Sequence, residues 1–401
     1  MTTPAPSHRL ASVEMLRAAC ALQVLFTHLY GETLDMPQNS LLVSVASFSL
    51  EAVAGFFVLS GCVISLQNYT GAVSYIRSRL VRILPIYYVM LLVSVALMAL
   101  CGVLPSLGRF FGNALFVQTL FWDPLFPVRF YVPSWSLAYE IYYYAAFIVM
   151  MMMPRLLVPL FVASVAVGLS LYVIPWGPSD KLSAVLHPLA YFSFWLVGVG
   201  ITRLCRAGHA ISLATGAYLF VIGICIGRVP FAEPAKYDFL RLLGFSLGFG
   251  FLLWAFVSQT IAGAATRRTL VLSLVARCVI SAVALAILWK VSTAHLSMKL
   301  ITTMAVAVFT FGPAMMVRGV TWALRPLQPF LVYVGGLSYA LYLVHYPLVQ
   351  TFNALGLFGP IVSVAVAGVL SFALAHFLDY MFQPWVRARI PGGRRRGTVQ
   401  A

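Results

Sequence analysis

Charge is what this sequence has least of. Asp, Glu, Lys and Arg together make up only 9% of its 401 residues, too little to cover the surface of a water-soluble domain of that length. Acidic residues are the scarcer kind, 10 against 26 Lys and Arg, giving a formal net charge of +16. The basic residues do not gather on one face or in one tail, as a nucleic-acid surface would need. They sit in short segments between apolar runs, which is a topology signal. Cysteine chemistry is also missing. Cys20, Cys62, Cys101, Cys205, Cys225 and Cys278 lie within or beside apolar runs with no CxxC or alternating Cys/His spacing, so neither a disulfide framework nor a zinc site is indicated. The alternation of lipid-facing barrel strands is absent, and no internal repeat relates the two halves.

What is present is apolar length. With 62% hydrophobic residues and a mean hydropathy of +0.95, the chain reads as an all-α, polytopic integral membrane bundle. It reads as one membrane-embedded domain over 1–401, with 1–10 and 387–401 as tails. Spans are predicted near 11–31, 41–67, 84–103, 134–153, 156–175, 184–204, 211–229, 240–262, 268–289, 298–317, 329–352 and 360–381. The region 268–317 is weakly delimited, so the count is ten to twelve. With the amino terminus inside, alternate loops receive Arg77/Arg79/Arg82, Arg155, Arg203/Arg206, Arg267/Arg268, Arg318/Arg325 and Arg394/Arg395/Arg396. The opposite loops hold Glu32/Asp35, Asp123, Asp180/Lys181, Glu233/Lys236/Asp238 and Lys290/Lys299, which makes both termini cytoplasmic. The aromatic, proline-interrupted segment 105–135 is expected to be an interfacial or re-entrant cap.

Against this background the polar residues inside spans stand out. Arg17 and His28 are eleven residues apart on the first helix, about three turns and 20°, so they share a face about 16 Å apart along the axis. The plainer account is that each snorkels to its own headgroup layer. Arg77, Arg79 and Arg82 precede a proline that is expected to start the third span. They fit anionic lipid or, as guanidinium groups, a bidentate grip on phosphate. Glu51, Glu140 and His345 fall at depths similar to His28, costly unless they meet each other, water or a substrate. His376 and Asp379, three apart, can pair with each other and are read as structural. Aromatics from Phe110 to Trp135 suit an ordinary interfacial belt or apolar faces for sugar rings.

Five segments together resemble the acyltransferase-3 family of bacterial membrane O-acyltransferases. They are the Arg17–His28 helix, GFFVLSGCVIS (55–65), RSRLVRILPIYY (77–88), WSLAYEIYYY (135–144) and GLSYALYLVHYPL (336–348). The fourth is nearest the branch that acetylates exopolysaccharides. Two departures stand out: Ala54 replaces an acidic residue that often precedes the paired phenylalanines, with Glu51 nearby, and Gln383 stands where glutamate is frequent.

The resemblance implies transfer of an acetyl group from acetyl-CoA to a hydroxyl of a cell-surface or exported saccharide at a bacterial inner membrane. His28 is the expected base and Glu140 its partner or a holder of acceptor hydroxyls. Arg17, Arg77, Arg79 and Arg82 are expected to hold coenzyme A, and Glu51, Trp135, Ser338, Tyr342 and His345 the acceptor. No metal is implied, and the oligomeric state stays open. Competing readings are acylation of a small secondary metabolite, such as a glycosylated antibiotic, and a transporter, since intramembrane charges also mark transport routes.

Overall fold

Peptide groups in hydrocarbon find no water, and helices satisfy them within the segment. The computed structural model describes residues 8–31, 41–120, 129–174, 181–227, 238–261, 267–291, 310 and 312–390, and every regular element among them is helical. In chain order they are α1 (His8–Gly31), α2 (Leu41–Ala46), α3 (Ser49–Leu66), α4 (Ala72–Leu100), α5 (Leu107–Ala114), α6 (Trp135–Met152), α7 (Leu157–Val173), α8 (Lys181–Arg206), α9 (Leu213–Gly227), α10 (Asp238–Ile261), α11 (Arg267–Val291), α12 (Pro313–Leu324), α13 (Gln328–Leu355), α14 (Pro360–His376) and α15 (Gln383–Arg389). Seven described helical stretches are long and apolar enough to cross a membrane. Two further helices of 24 and 18 residues, α1 and α6, carry Arg17, His28 and Glu140 and fall outside that seven. The protein is an all-α polytopic membrane protein.

Three spans differ from expectation in ways that matter for the site. The predicted 41–67 helix is interrupted at Ser47 and Phe48. The carbonyls of Val45 and Ala46 at the end of α2 accept from Gln23 Nε2 and Thr27 Oγ1 on α1, both at 2.7 Å, with Phe48 N a longer donor to Val45 O at 3.3 Å. The third span starts at Ala72, not at Pro85, and runs through the proline. The three arginines therefore lie within a helix rather than ahead of one. At the end of the chain α14 passes into a π turn, Phe377–Phe382, before continuing as α15. Of the loop residues that set the sidedness of the chain, Glu32, Asp35, Asp123, Asp180, Glu233, Lys236, Lys299 and Arg394–Arg396 lie outside the described residues, as do the ends 1–7 and 391–401.

Contacts divide the chain into two compact units of interleaved segments. The first comprises Met1–Met15, Ala54–Leu66 and Ser193–Val332. Small residues let its helices approach closely. A Cβ on Gly61 would lie 2.1 Å from the carbonyl oxygen of Trp195, and one on Gly198 would lie 2.0 Å from that of Val58. Thr202 Oγ1 donates to the Cys62 carbonyl at 3.1 Å across the same seam. Farther along, Thr215 and Ser273 share a hydrogen bond of 2.7 Å, and Tyr218 donates to the Arg277 carbonyl at 3.0 Å, stitching α9 to α11.

The second unit comprises Leu16–Val53, Gln67–Phe192 and Tyr333–Ala401. The predicted cap folds back here as α5 and the 3₁₀ turn Arg129–Ser134. Three of its described aromatics are core, since Phe116, Phe130 and Tyr131 are buried and the Tyr87 ring stacks on Phe116 at 4.2 Å between centroids, whereas Phe111 is exposed. Hydroxyls fix the fold-back, since Tyr87 donates to the Asn113 carbonyl at 2.8 Å and Tyr131 to the Tyr87 carbonyl at 2.9 Å. Residues 121–128 lie outside the described residues.

The glycine seam gives a direct test. Gly198→Ala must push two backbones apart and is expected to cost about 1–3 kcal/mol. Gly200→Ala, with nothing within 4 Å of the added carbon, should be neutral or slightly stabilising. Thermal midpoints of the purified variants in detergent check both.

Candidate functional site

One unit gathers most of the sequence-predicted polar residues, and helix geometry explains which side chains meet. On α13, Ser338, Tyr342 and His345 are spaced i, i+4, i+7, within about 60° of one another around the axis. All three are buried. On α6, Ser136, Glu140 and Tyr144 recur every fourth residue and form the facing stripe. The Tyr342 hydroxyl donates to the Pro133 carbonyl at 2.9 Å, Ser136 Oγ reaches the same carbonyl at 3.3 Å, and the two hydroxyls lie 2.9 Å apart. Tyr144 donates to a carboxylate oxygen of Glu140.

At one end of this stripe lie two imidazoles. His28 on α1 and His345 on α13 face each other with ring centroids 5.3 Å apart, and Tyr346 meets His28 edge-on at 4.9 Å. His345 Nδ1 lies 3.0 Å from the Leu341 carbonyl, which only accepts, so Nδ1 carries the proton. That leaves Nε2 as a bare lone pair. It is buried and has no hydrogen-bond partner among the described residues. Ser338 Oγ is likewise buried and unpartnered among them.

At the other end the guanidinium groups are sorted by the helix that carries them. Arg79 and Arg82 stand about 60° apart around α4, whereas Arg77 is turned well over 90° from either. Arg77 is exposed on the outer face among Val73, Ile76 and Leu80. Arg79 bonds Gln67 Oε1 at 2.9 Å and lies over the Tyr69 ring at 6.0 Å. Arg82, half-buried, interacts with Asp379, as do Arg17 and Arg387.

Asp379 is therefore not the partner of His376. His376 Nδ1 instead meets the Tyr333 hydroxyl at 2.9 Å, with its ring stacked on Tyr380 at 5.1 Å. Tyr339, one step around α13, joins the two ends. It donates to the Ile83 carbonyl at 2.8 Å and lies in electrostatic range of both Arg82 and Glu140.

Some predicted residues take other positions. Glu51 is buried in the first turn of α3, where a carboxylate suits the positive end of the helix dipole. Trp135 packs edge-on against Tyr139 and Tyr191 at 5.2 and 6.3 Å, on the face of α6 turned away from Ser136. Residues that sequence reasoning passed over are Ser136, Tyr144 and Tyr339, while Asp379 and Gln383 stood out in the sequence without a place in the site. The i+4 spacing of Tyr144 from Glu140 was the readable signal. Among the described residues no three of His, Cys, Asp and Glu come together as metal ligands.

A helical membrane unit with a paired imidazole at one end of a hydroxyl and carboxylate seam, and guanidinium groups at the other, has the makeup of an intramembrane group-transfer enzyme. The chain belongs to the acyltransferase-3 family, whose acyltransferase domain matches residues 10–379. It is thus an acyltransferase acting on hydroxyls, not an aminoacyl transferase. Among curated proteins and solved structures, none matches the chain.

The Tyr342 hydroxyl is the hinge of the seam. Tyr342→Phe removes the shorter donor to the Pro133 carbonyl and the hydroxyl beside Ser136 at the start of α6, leaving only the 3.3 Å bond from Ser136 Oγ to that carbonyl. Destabilisation by about 1–3 kcal/mol is expected, read as a lower thermal midpoint, with slower acyl transfer.

Proposed function

We propose that this membrane acyltransferase moves an acetyl group from acetyl-CoA, delivered from the cytoplasm, to a hydroxyl of a cell-surface or exported saccharide at a bacterial inner membrane. The observation that carries the reading is the seam itself. Within one compact unit, polar groups run from Arg17, Arg82 and Asp379 through Tyr339, Glu140–Tyr144 and Ser136–Tyr342 to His345 and His28. A polar substrate path gives a reason for such a row within apolar helices, beyond the helix ties that its hydroxyls also make.

Coenzyme A is polyanionic, and Arg17, Arg79 and Arg82 offer it charge-assisted donors. Arg77, on the opposite face of α4, is left to headgroups. The pantetheine arm is thin enough to follow the seam, and its length suits the roughly 16 Å between Arg17 and His28 along α1. At the far end His28 takes the proton of the acceptor hydroxyl as its oxygen attacks the thioester carbon. The tetrahedral intermediate collapses with cleavage of the carbon–sulfur bond, and the departing thiolate recovers a proton from the imidazolium. His345 Nε2, a fixed lone pair, accepts a hydrogen bond from a neighbouring hydroxyl of the acceptor and so leaves the reacting hydroxyl facing His28. Glu140, held by Tyr144, supports the acceptor from α6, with Ser338 and Tyr342 lining the same face. Glu51 and Trp135 belong to the wider acceptor region.

Purified protein supplied with labelled acetyl-CoA and candidate glycans tests the reading; label on a sugar supports it, and label on a small glycosylated metabolite instead would move the acceptor class. His28→Ala should stay in the membrane and lose transfer by a factor of about 10²–10⁴, the usual contribution of a general base. Normal product by mass spectrometry removes it from the mechanism. Arg82→Ala should weaken acetyl-CoA binding about tenfold or more, the cost of one charge-assisted contact. Equal affinity by calorimetry counts against the arginine mouth.

A further inference from the structure

Pro85 lies inside α4. A mid-helix proline has no N–H for the carbonyl four residues back, and its ring pushes that carbonyl aside. Four residues back is Val81. That carbonyl is not left bare in lipid: Gln383 Nε2 donates to it at 2.6 Å, with a longer approach to the Arg82 carbonyl at 3.5 Å. Gln383 opens α15 and is 1% exposed. Because Val81 O only accepts, the amide must present its nitrogen there. The other end of the amide, Oε1, has no hydrogen-bond partner among the described residues. Donation to α4 is thus the polar contact that orients this side chain. Just beyond, Tyr339 donates to the Ile83 carbonyl at 2.8 Å. Carbonyls on both sides of Arg82 are held by side chains from two other helices.

We propose that Gln383 supplies the hydrogen bond that Pro85 removes, and that by fixing the α4 turn it acts as a positioning residue for Arg82 in gripping the phosphates of coenzyme A. The inference rests on the donor-site reading above. It also gives the amide at 383 a reason. An ionised glutamate at that place would set lone pairs against the lone pairs of Val81 O, whereas glutamine brings an N–H.

The test is a double-mutant cycle on the full-length protein in lipid nanodiscs, reading the affinity for coenzyme A by calorimetry and the thermal midpoint of the unliganded protein. Gln383→Met keeps an unbranched chain of similar length without a donor. Pro85→Ala returns a peptide N–H to Val81 O. Gln383→Met alone is expected to weaken coenzyme A binding about tenfold, in keeping with a buried carbonyl left unsatisfied. Adding Pro85→Ala should bring the affinity back to within about twofold of Pro85→Ala alone, the scatter expected of independent sites.

An unchanged affinity in Gln383→Met overturns the inference, and so does a double variant no better than Gln383→Met. Should Gln383→Met fold poorly, recovery of both midpoint and affinity in the double variant supports the repair, and no recovery overturns it. Arg82→Ala, measured alongside, separates the two claims. If it binds coenzyme A normally, the donor-site reading falls and this inference with it. If it binds weakly while Gln383→Met binds normally, only the positioning role falls.

Discussion

A polar group carried into hydrocarbon has to be met by another, and each meeting constrains two helices at once. The second unit is organised by that requirement. Tyr342 ties α13 to the turn before α6, Tyr339 ties α13 to α4, and Gln383 ties α15 to α4. Gln23 and Thr27 tie α1 to the end of α2. None of these bonds is strong by itself, since a typical net contribution is about 1 kcal/mol. Their importance is geometric. They set the rotation of four helices about their own axes, which decides whether Arg17, Arg82, Glu140 and the two histidines point into one seam or out into lipid.

Catalytic groups in such an enzyme also serve as structural groups, and the seam shows where the two duties separate. Tyr144 spends its proton on Glu140 and Tyr342 on Pro133, so neither hydroxyl has a proton left over for chemistry. His345 keeps an open lone pair because its own proton is committed to Leu341. Arg82 and Asp379 face each other across the donor end, which moderates positive charge among Arg17, Arg82 and Arg387 before any anion arrives.

Much of this was readable in the sequence, and the failures have physical causes. Helix positions followed from apolar length, and the shared face of Arg17 and His28 from a rotation of 100° per residue. The pairing of His28 with His345 was legible only as similar depth, because periodicity on one helix carries no information about the azimuth of another. Pro85 misled in a specific way. Proline favours the first turn of a helix, so the sequence points to a third span starting there and to a loop before it, in which the arginines have no faces to distinguish. Once α4 begins at Ala72, the same spacing separates Arg77 from Arg79 and Arg82. The spacing that lets Asp379 reach His376 is α-helical, and it does not hold through a turn of another pitch.

That turn has a last consequence. A π turn holds one residue more than an α turn, so Phe377–Phe382 shifts the phase of everything after it relative to α14. Removing one residue from this stretch would restore regular pitch and swing the amide at 383 by about a quarter of a revolution. The last helix would lengthen its ladder without strain and lose its hold on the third span. The surplus residue works as a mechanical offset, a fixed twist by which the end of the chain reaches back to a defect near its beginning.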